Sequence, residues 1–214
     1  MYIVRSPVKK QKNRHVYNQF RSNMSDILRK HIEKFIAVDD KDYSKILSYF
    51  KTIEARKKHN LLTEGKICIS NYFVVSGCLR LFFINDKGVE LTVQFALENW
   101  WLADYTSFTT QKPSEFYIQT VEKSTIVSID YLSQEKLLKE CPSMERYFRF
   151  VHQRAHAAYQ FRIKYLYSSS REELYHAFNQ LYPEFVQRIP QYLLASYLGF
   201  TPEYLSEIRN KRIS

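Results

Sequence analysis

Near its C-terminus the chain places Thr201, Pro202, Glu203, Tyr204, Ser206 and Glu207 just after Gly199, followed by Arg209, Asn210, Lys211 and Arg212. Hydroxyls and carboxylates of this kind hydrogen-bond to the edges of bases, and Glu203 suits the cytosine amino group. Arg209, Asn210, Lys211 and Arg212 suit phosphate oxygens, and so does Gln191 a little upstream. Such contacts need a rigid helix that projects them. Leu194, Ala195 and Leu198 repeat at helical spacing, and Gly199 supplies a left-handed stop. Thr201 is a cap and Pro202 fits a first helical position. Leu205 and Ile208 then turn back toward a core, and the small Ala195 lets the two helices cross closely. This is the pattern of a helix-turn-helix, whose second helix enters the major groove of DNA. The plainer alternative is a bare helical hairpin. Glu207 facing a polyanion costs affinity unless Arg209 or a neighbouring Arg pairs with it.

The charge distribution agrees with a polyanionic partner. The 214 residues carry a net charge of +10, unevenly spread. Residues 1–23 hold six basic and no acidic side chains, residues 85–145 five basic and ten acidic, and residues 146–214 ten basic and five acidic. A basic C-terminal part after an acidic middle points to nucleic acid; solvated surface lysines are the bland reading.

Other chemistries find little support. With four Gly there is no G-x-G-x-x-G, no G-x-x-x-x-G-K and no G-x-S-x-G. The six His are His15, His31, His59, His152, His156 and His176, so residues 60–151 contain none, which disfavours a metal centre in a β-barrel. His152 and His156 stand four apart, a spacing that more often gives a solvated pair than a metal site. Cys68, Cys78 and Cys141 are odd in number and lack C-x-x-C spacing, so three small buried hydrophobes in a reducing compartment are expected. No apolar run approaches the roughly 18 residues of a membrane span. No apolar stretch follows the basic N-terminus as in a secretion signal. The expectation is a cytoplasmic non-enzyme with no cofactor, no metal and no membrane partner.

Three textures succeed one another. Residues 1–23 lack any period and read as a mobile basic arm, with Met24 a plausible native start. Ile27, Leu28, Ile32, Phe35 and Ile36 make a helix behind Ser25 or Asp26, and a second runs through Ile46, Leu47 and Phe50 from a cap at Asp39 or Asp40. Residues 51–130 then hold short β-rich runs: 67–69, 72–75, 79–84, 91–95, 116–119 and 125–129. Asn85-Asp86-Lys87-Gly88 forms a hairpin between two of them. Six or more short strands at this spacing imply an antiparallel barrel or sandwich. From Pro142 to Ser168 a long helix carries Met144, Phe148, Val151, Ala155, Ala158 and Tyr165 along one seam, which suits self-association as well as plain core packing. Residues 172–182 form another helix.

This order of parts resembles the Crp/Fnr family of transcription regulators over about residues 25–212. The resemblance is carried by Val75-Ser76-Gly77-Cys78-Leu79-Arg80 before Asp86-Lys87-Gly88, by Pro142-Ser143-Met144-Glu145, by Ile189-Pro190-Gln191, and by Ala195 through Arg209. It implies an α+β fold. N-terminal helices and an antiparallel β-roll (a double-stranded β-helix, residues 24–141) act as a cyclic-nucleotide-binding-like sensor. A long dimerisation helix (142–168) and an all-α helix-turn-helix unit (169–214) follow. The implied partners are a second copy, double-stranded DNA with a near-palindromic operator, RNA polymerase, and either an unidentified small-molecule effector or none.

In family members that bind cyclic AMP, a Gly-Glu pair holds the ribose and an Arg-Ser/Thr pair the phosphate. The matching positions here are Ala103-Asp104 and Ser114-Glu115. Without the Arg the charge-assisted anchor is lost, so tight cyclic AMP binding is not expected. Trp100 and Trp101 fall in the pocket region. They either fill the roll or, with Asp104, Phe108, Ser114, Glu115 and Tyr117, line an apolar effector pocket. The N-terminal cysteine cluster that holds iron–sulfur centres in other members has no counterpart, and the chain stops before the β-wing. A roll that works through protein partners, its hairpin no longer touching DNA, is the second reading.

Overall fold

The computed structural model describes residues 25–210. The basic arm expected over 1–23, and the candidate phosphate contacts Lys211 and Arg212, lie outside the described residues.

Residues 25–33 form helix α1, and α2 spans Asp40–Leu47, capped by the Asp39 carboxylate, which accepts from the Asp42 N–H at 2.7 Å. Eight strands follow: β1 (Lys51–Ala55), β2 (Asn60–Leu62), β3 (Ser70–Ser76), β4 (Leu79–Ile84), β5 (Glu90–Ala96), β6 (Trp101–Leu102), β7 (Tyr117–Thr120) and β8 (Ser124–Asp130). A short helix α3 (Tyr105–Thr110) interrupts them. The strands form two antiparallel sheets, ordered β1-β8-β3-β6 and β2-β7-β4-β5. Two helices close this part, α4 (Tyr131–Glu140) and the 26-residue α5 (Ser143–Ser168). Four more make up the C-terminal part: α6 (Arg171–Leu181), α7 (Pro183–Arg188), α8 (Gln191–Leu198) and α9 (Pro202–Asn210). The antiparallel β arrangement and the flanking helices agree with the expected α+β class.

The runs of β3 and β8 read as nearly continuous apolar segments because these central strands of the first sheet are buried on both faces. On β3, Phe73 and Val75 face the N-terminal helices and α5, while Tyr72 and Val74 face the interior between the sheets. On β8, Val127 and Ile129 divide from Ile126 in the same way. The inter-sheet core is filled by Leu79, Leu81, Leu102, Phe108, Ile118 and Ile126 among others. The run 67–69 is no strand, which corrects the expectation. Ile67 makes one isolated bridge to Pro113, and the Cys68 N–H donates to Ser107 Oγ at 2.9 Å instead of joining a ladder.

The outer core is tied together by Tyr147. Its hydroxyl accepts from Trp101 Nε1 at 2.8 Å and lies 2.8 Å from His31 Nδ1. With Trp101 donating to the oxygen, the hydroxyl hydrogen completes the chain by donating to a neutral imidazole. Burial pushes His31 down to about 4, and Lys34 and Arg154 add to the effect. All three cysteines are buried and free, and burial raises the Cys68 thiol to about 11.

Because His31 is depressed in the folded state, its share of stability is complete above an ordinary histidine value of about 6.5 and is lost as pH falls toward 4. Thermal melts across that window should show a fall in Tm that is smaller in His31→Gln, which keeps an acceptor for Tyr147 but does not titrate. An equal fall in both proteins would assign the acid sensitivity elsewhere.

Candidate nucleic-acid interface

The last two helices are held by a small set of local devices. Pro190 stands just before α8, and Gly199 ends it with φ +76, its N–H returning to the carbonyls of Ala195 and Ser196. A residue with a Cβ is strained at that angle. Thr201 Oγ1 then accepts from the Tyr204 N–H at 3.2 Å, and Pro202 opens α9. Leu194, Ala195 and Leu198 of α8 and Leu205 and Ile208 of α9 are all buried in one cluster.

That packing orients the remaining side chains. Thr201, Pro202, Glu203, Ser206, Glu207 and Asn210 are exposed, and so is Gln191 in the first turn of α8. Tyr204 and Arg209 are half-buried. Tyr204 is partly engaged by Phe200, with ring centroids 5.5 Å apart, and by the Arg171 guanidinium 5.6 Å from its ring. Thr201, Pro202, Glu203, Ser206 and Glu207 thus lie on the solvent side of α9.

The same helices are anchored to the sheet by contacts that sequence reasoning missed. Ser196 Oγ accepts from the Thr92 N–H at 2.8 Å and donates to the Glu90 carbonyl at 2.9 Å. Arg162 of α5 donates to the Val93 carbonyl at 2.7 Å and to the Tyr197 carbonyl at 2.8 Å. Arg188, at the end of α7, forks onto both oxygens of Glu98 at 2.7 and 2.9 Å and also bonds to Glu122. The Glu98 carboxylate further accepts the Gly77 N–H at 2.8 Å. Burial alone would raise Glu98, but Arg188 and that N–H outweigh it and hold the carboxyl below its ordinary value. Phe95 of β5 packs on Phe185 and Tyr197 in the C-terminal cluster. These partners lie 21 to 106 residues apart in the chain, so no local pattern announces them.

Of the expected effector-pocket residues, Asp104 and Ser114 are brought together, whereas Trp100 and Trp101 go to different places. Trp101 belongs to the outer core, against Phe73, Phe148 and Tyr147, not to the roll interior. Trp100 is 46% exposed and lines a cavity between the sheet and the C-terminal helices. Asp104 caps α3 through the Thr106 and Ser107 N–H groups and accepts from Ser114 Oγ at 2.6 Å. Phe108 is part of the inter-sheet core, Tyr117 stacks on Phe82 with centroids 5.0 Å apart, and Glu115 is exposed.

The expected helix seam also needs correction. Met144 and Phe148 are buried in the chain's own core against α1, β3 and β6, so they are not free for a second copy. Val151 and Ala155 are half-buried, Ala158 is exposed, and Tyr165 packs on the C-terminal cluster. The exposed apolar side chains of α5 cluster instead in its second half, at Tyr159, Phe161, Ile163, Leu166 and Tyr167. His152 packs against Tyr105 with ring centroids 4.8 Å apart, and no metal-holding group of His, Cys, Asp or Glu occurs among the described residues. No helix among them is long and apolar enough to cross a membrane.

No family model matches the chain, and no curated protein does. Solved structures do. The catabolite activator protein of Thermus thermophilus is 18% identical with a TM-score of 0.51, covering 82% of this chain and 84% of that one. A CooA mutant from Carboxydothermus hydrogenoformans is 19% identical with a TM-score of 0.62, over 81% and 80%. The c-di-GMP responsive global regulator CLP of Xanthomonas campestris is 13% identical with a TM-score of 0.63, over 81% and 91%. At these identities the likeness is one of fold.

Arg188→Ala should loosen the docking of the C-terminal helices on the sheet and leave Glu98 and Glu122 facing each other as like charges. The bidentate geometry raises the expected loss to about 1–2 kcal/mol, above that of a simple surface pair. Urea unfolding measures the loss, and small-angle scattering should show a larger radius of gyration. An unchanged radius with unchanged stability would show that the apolar cluster alone holds the docking.

Proposed function

We propose that this chain, built on the fold shared with Crp/Fnr regulators, is a homodimeric transcription regulator that reads duplex DNA with α9. The observation that carries the reading is the two-sidedness of α9. Leu205 and Ile208 are buried while Thr201, Glu203, Ser206 and Glu207 lie exposed on the opposite side. A helix so capped and backed presents its first turns as a rigid ridge, which is what entry into a major groove requires. The basic balance of residues 146–214 adds the electrostatic attraction that supplies most non-specific affinity.

In this reading residues 24–141 are the sensor, 142–168 the helix that joins two copies, and 169–214 the DNA-binding unit. The exposed apolar side chains Ile163 and Tyr167 support a partner on the second half of α5. Two copies would present α9 to successive major grooves about 34 Å apart, on a near-palindromic operator. RNA polymerase is the further partner that such a regulator addresses. The reading favours DNA over a pure protein-interaction module because the exposed face of α9 is polar, not apolar.

Cyclic AMP is not the effector in this reading. Asp104 and Ser114 satisfy each other and the start of α3, and a cyclic phosphate beside the buried Asp104 would bring like charge into a desolvated place. Calorimetric titration should show no binding; micromolar affinity would reverse this.

Gel-shift against a pool of genomic fragments tests the main reading. Specific binding that weakens steeply with salt is expected. Glu203→Ala should change base preference at one position by about 1–3 kcal/mol, and Lys211→Ala should weaken binding on every sequence and lower the salt slope by about 1. Absence of binding even at low salt would favour the interaction module.

A further inference from the structure

Between β5, the second half of α5, and helices α6 and α8 lies a cavity of about 420 Å³. Its size falls within the range of about 300–1,000 Å³ typical of small-molecule sites. The walls are mostly apolar and include Leu97, Trp100, Ala158, Leu174, Ala177 and Phe178. No carboxylate lines it, and one cation does: Arg162.

The setting of Arg162 is unusual. Two of its nitrogens each donate to a backbone carbonyl, those of Val93 and Tyr197, and the guanidinium lies 4.1 Å from the centre of the Tyr197 ring. Its Nε is buried without a hydrogen-bond partner, and no ion pair to it occurs among the described residues. Carbonyl dipoles and a ring face offset part of the cost of a half-buried positive charge, but a counter-ion is missing, and buried charges are ordinarily paired. A guanidinium takes a carboxylate in a strong, directional contact.

We infer that this cavity binds a small amphiphilic anion, an apolar body with a single carboxylate head that pairs with Arg162. The body would lie against Trp100, Ala177 and Phe178, and the head at the point where α5 touches β5 and α8. Such a ligand sits where sheet and DNA-reading helices meet, so its binding would bias their relative position. That consequence rests on the proposed DNA reading, but binding does not.

Calorimetry of the full chain with decanoate, compared with decyltrimethylammonium at concentrations below micelle formation, separates charge recognition from plain apolar partition. Saturable binding of about one decanoate per chain is expected, with a change in tryptophan fluorescence and no comparable binding of the cation. Arg162→Met should weaken decanoate about tenfold or more. Ala177→Phe, which fills the cavity and leaves Arg162 in place, should abolish binding. If that variant fails to fold by circular dichroism, Ala158→Phe fills the same space from α5. Equal uptake of both amphiphiles, or decanoate binding unchanged in the filled variants, would overturn the inference. So would absence of binding in a dimer whose cross-links place the second copy's α5 over this cavity. A failed gel-shift beside specific decanoate binding would instead sink the DNA reading and leave the site standing.

Discussion

The free edge of β5 is the constraint on which the rest of the molecule turns. β5 ends its sheet, so one side of its backbone has no strand to bond. Unpaired N–H and C=O groups that are shut off from water must find partners, and a bare edge invites pairing with other chains. Here side chains supply the partners. Ser196 takes the Thr92 N–H and the Glu90 carbonyl, and Arg162 takes the Val93 carbonyl. The edge is thereby capped by α8 and α5, the two helices that join the sheet to α9. Any shift of β5 must move those bonds.

Helix α5 has two different halves for a related reason. Its first turns put Met144, Tyr147 and Phe148 into the outer core beside Trp101 and His31, which fixes the helix to the sheet. Further along, α5 leaves the outer core and bonds to β5 through Arg162, while Phe161, Ile163, Leu166 and Tyr167 stand exposed. A helix of this length is a rod of about 39 Å. It runs from the outer core to the point where Arg162 meets Tyr197, beside α8 and α9. The two-residue extended link at Ser169 and Ser170, after which Ser170 and Glu173 form a capping box, lets the chain turn there without breaking either helix.

Much of this architecture was legible from residues alone, wherever short-range chemistry decides. The Asn85–Gly88 hairpin closes as its composition requires, with Gly88 at φ +75. Asp39 caps α2, Gly199 ends α8, and Thr201 caps α9, each at the position its side chain or lack of one demands. Cap, turn and apolar period involve neighbours within a few residues, so the sequence carries their energies openly. The resemblance to the Crp/Fnr plan rested on the same local features, and the fold agrees with it.

What escaped was every feature made by distant side chains. Two adjacent tryptophans go to different places because Trp101 opens β6 and enters the outer core, while Trp100 lies just before that strand and borders a cavity. Met144 and Phe148 fit a self-association stripe and a core stripe equally well; only the presence of α1 and the first sheet over them selects the core. Arg162 and Arg188 read as ordinary surface cations until folding brings Val93, Tyr197, Glu98 and Glu122 against them. Periodicity specifies which face of an element is apolar, whereas which neighbour covers that face depends on chain segments far away in sequence. That is why the helices and turns could be written down from the residues, while the docking of α8 on β5 and the charged cavity beside it could not.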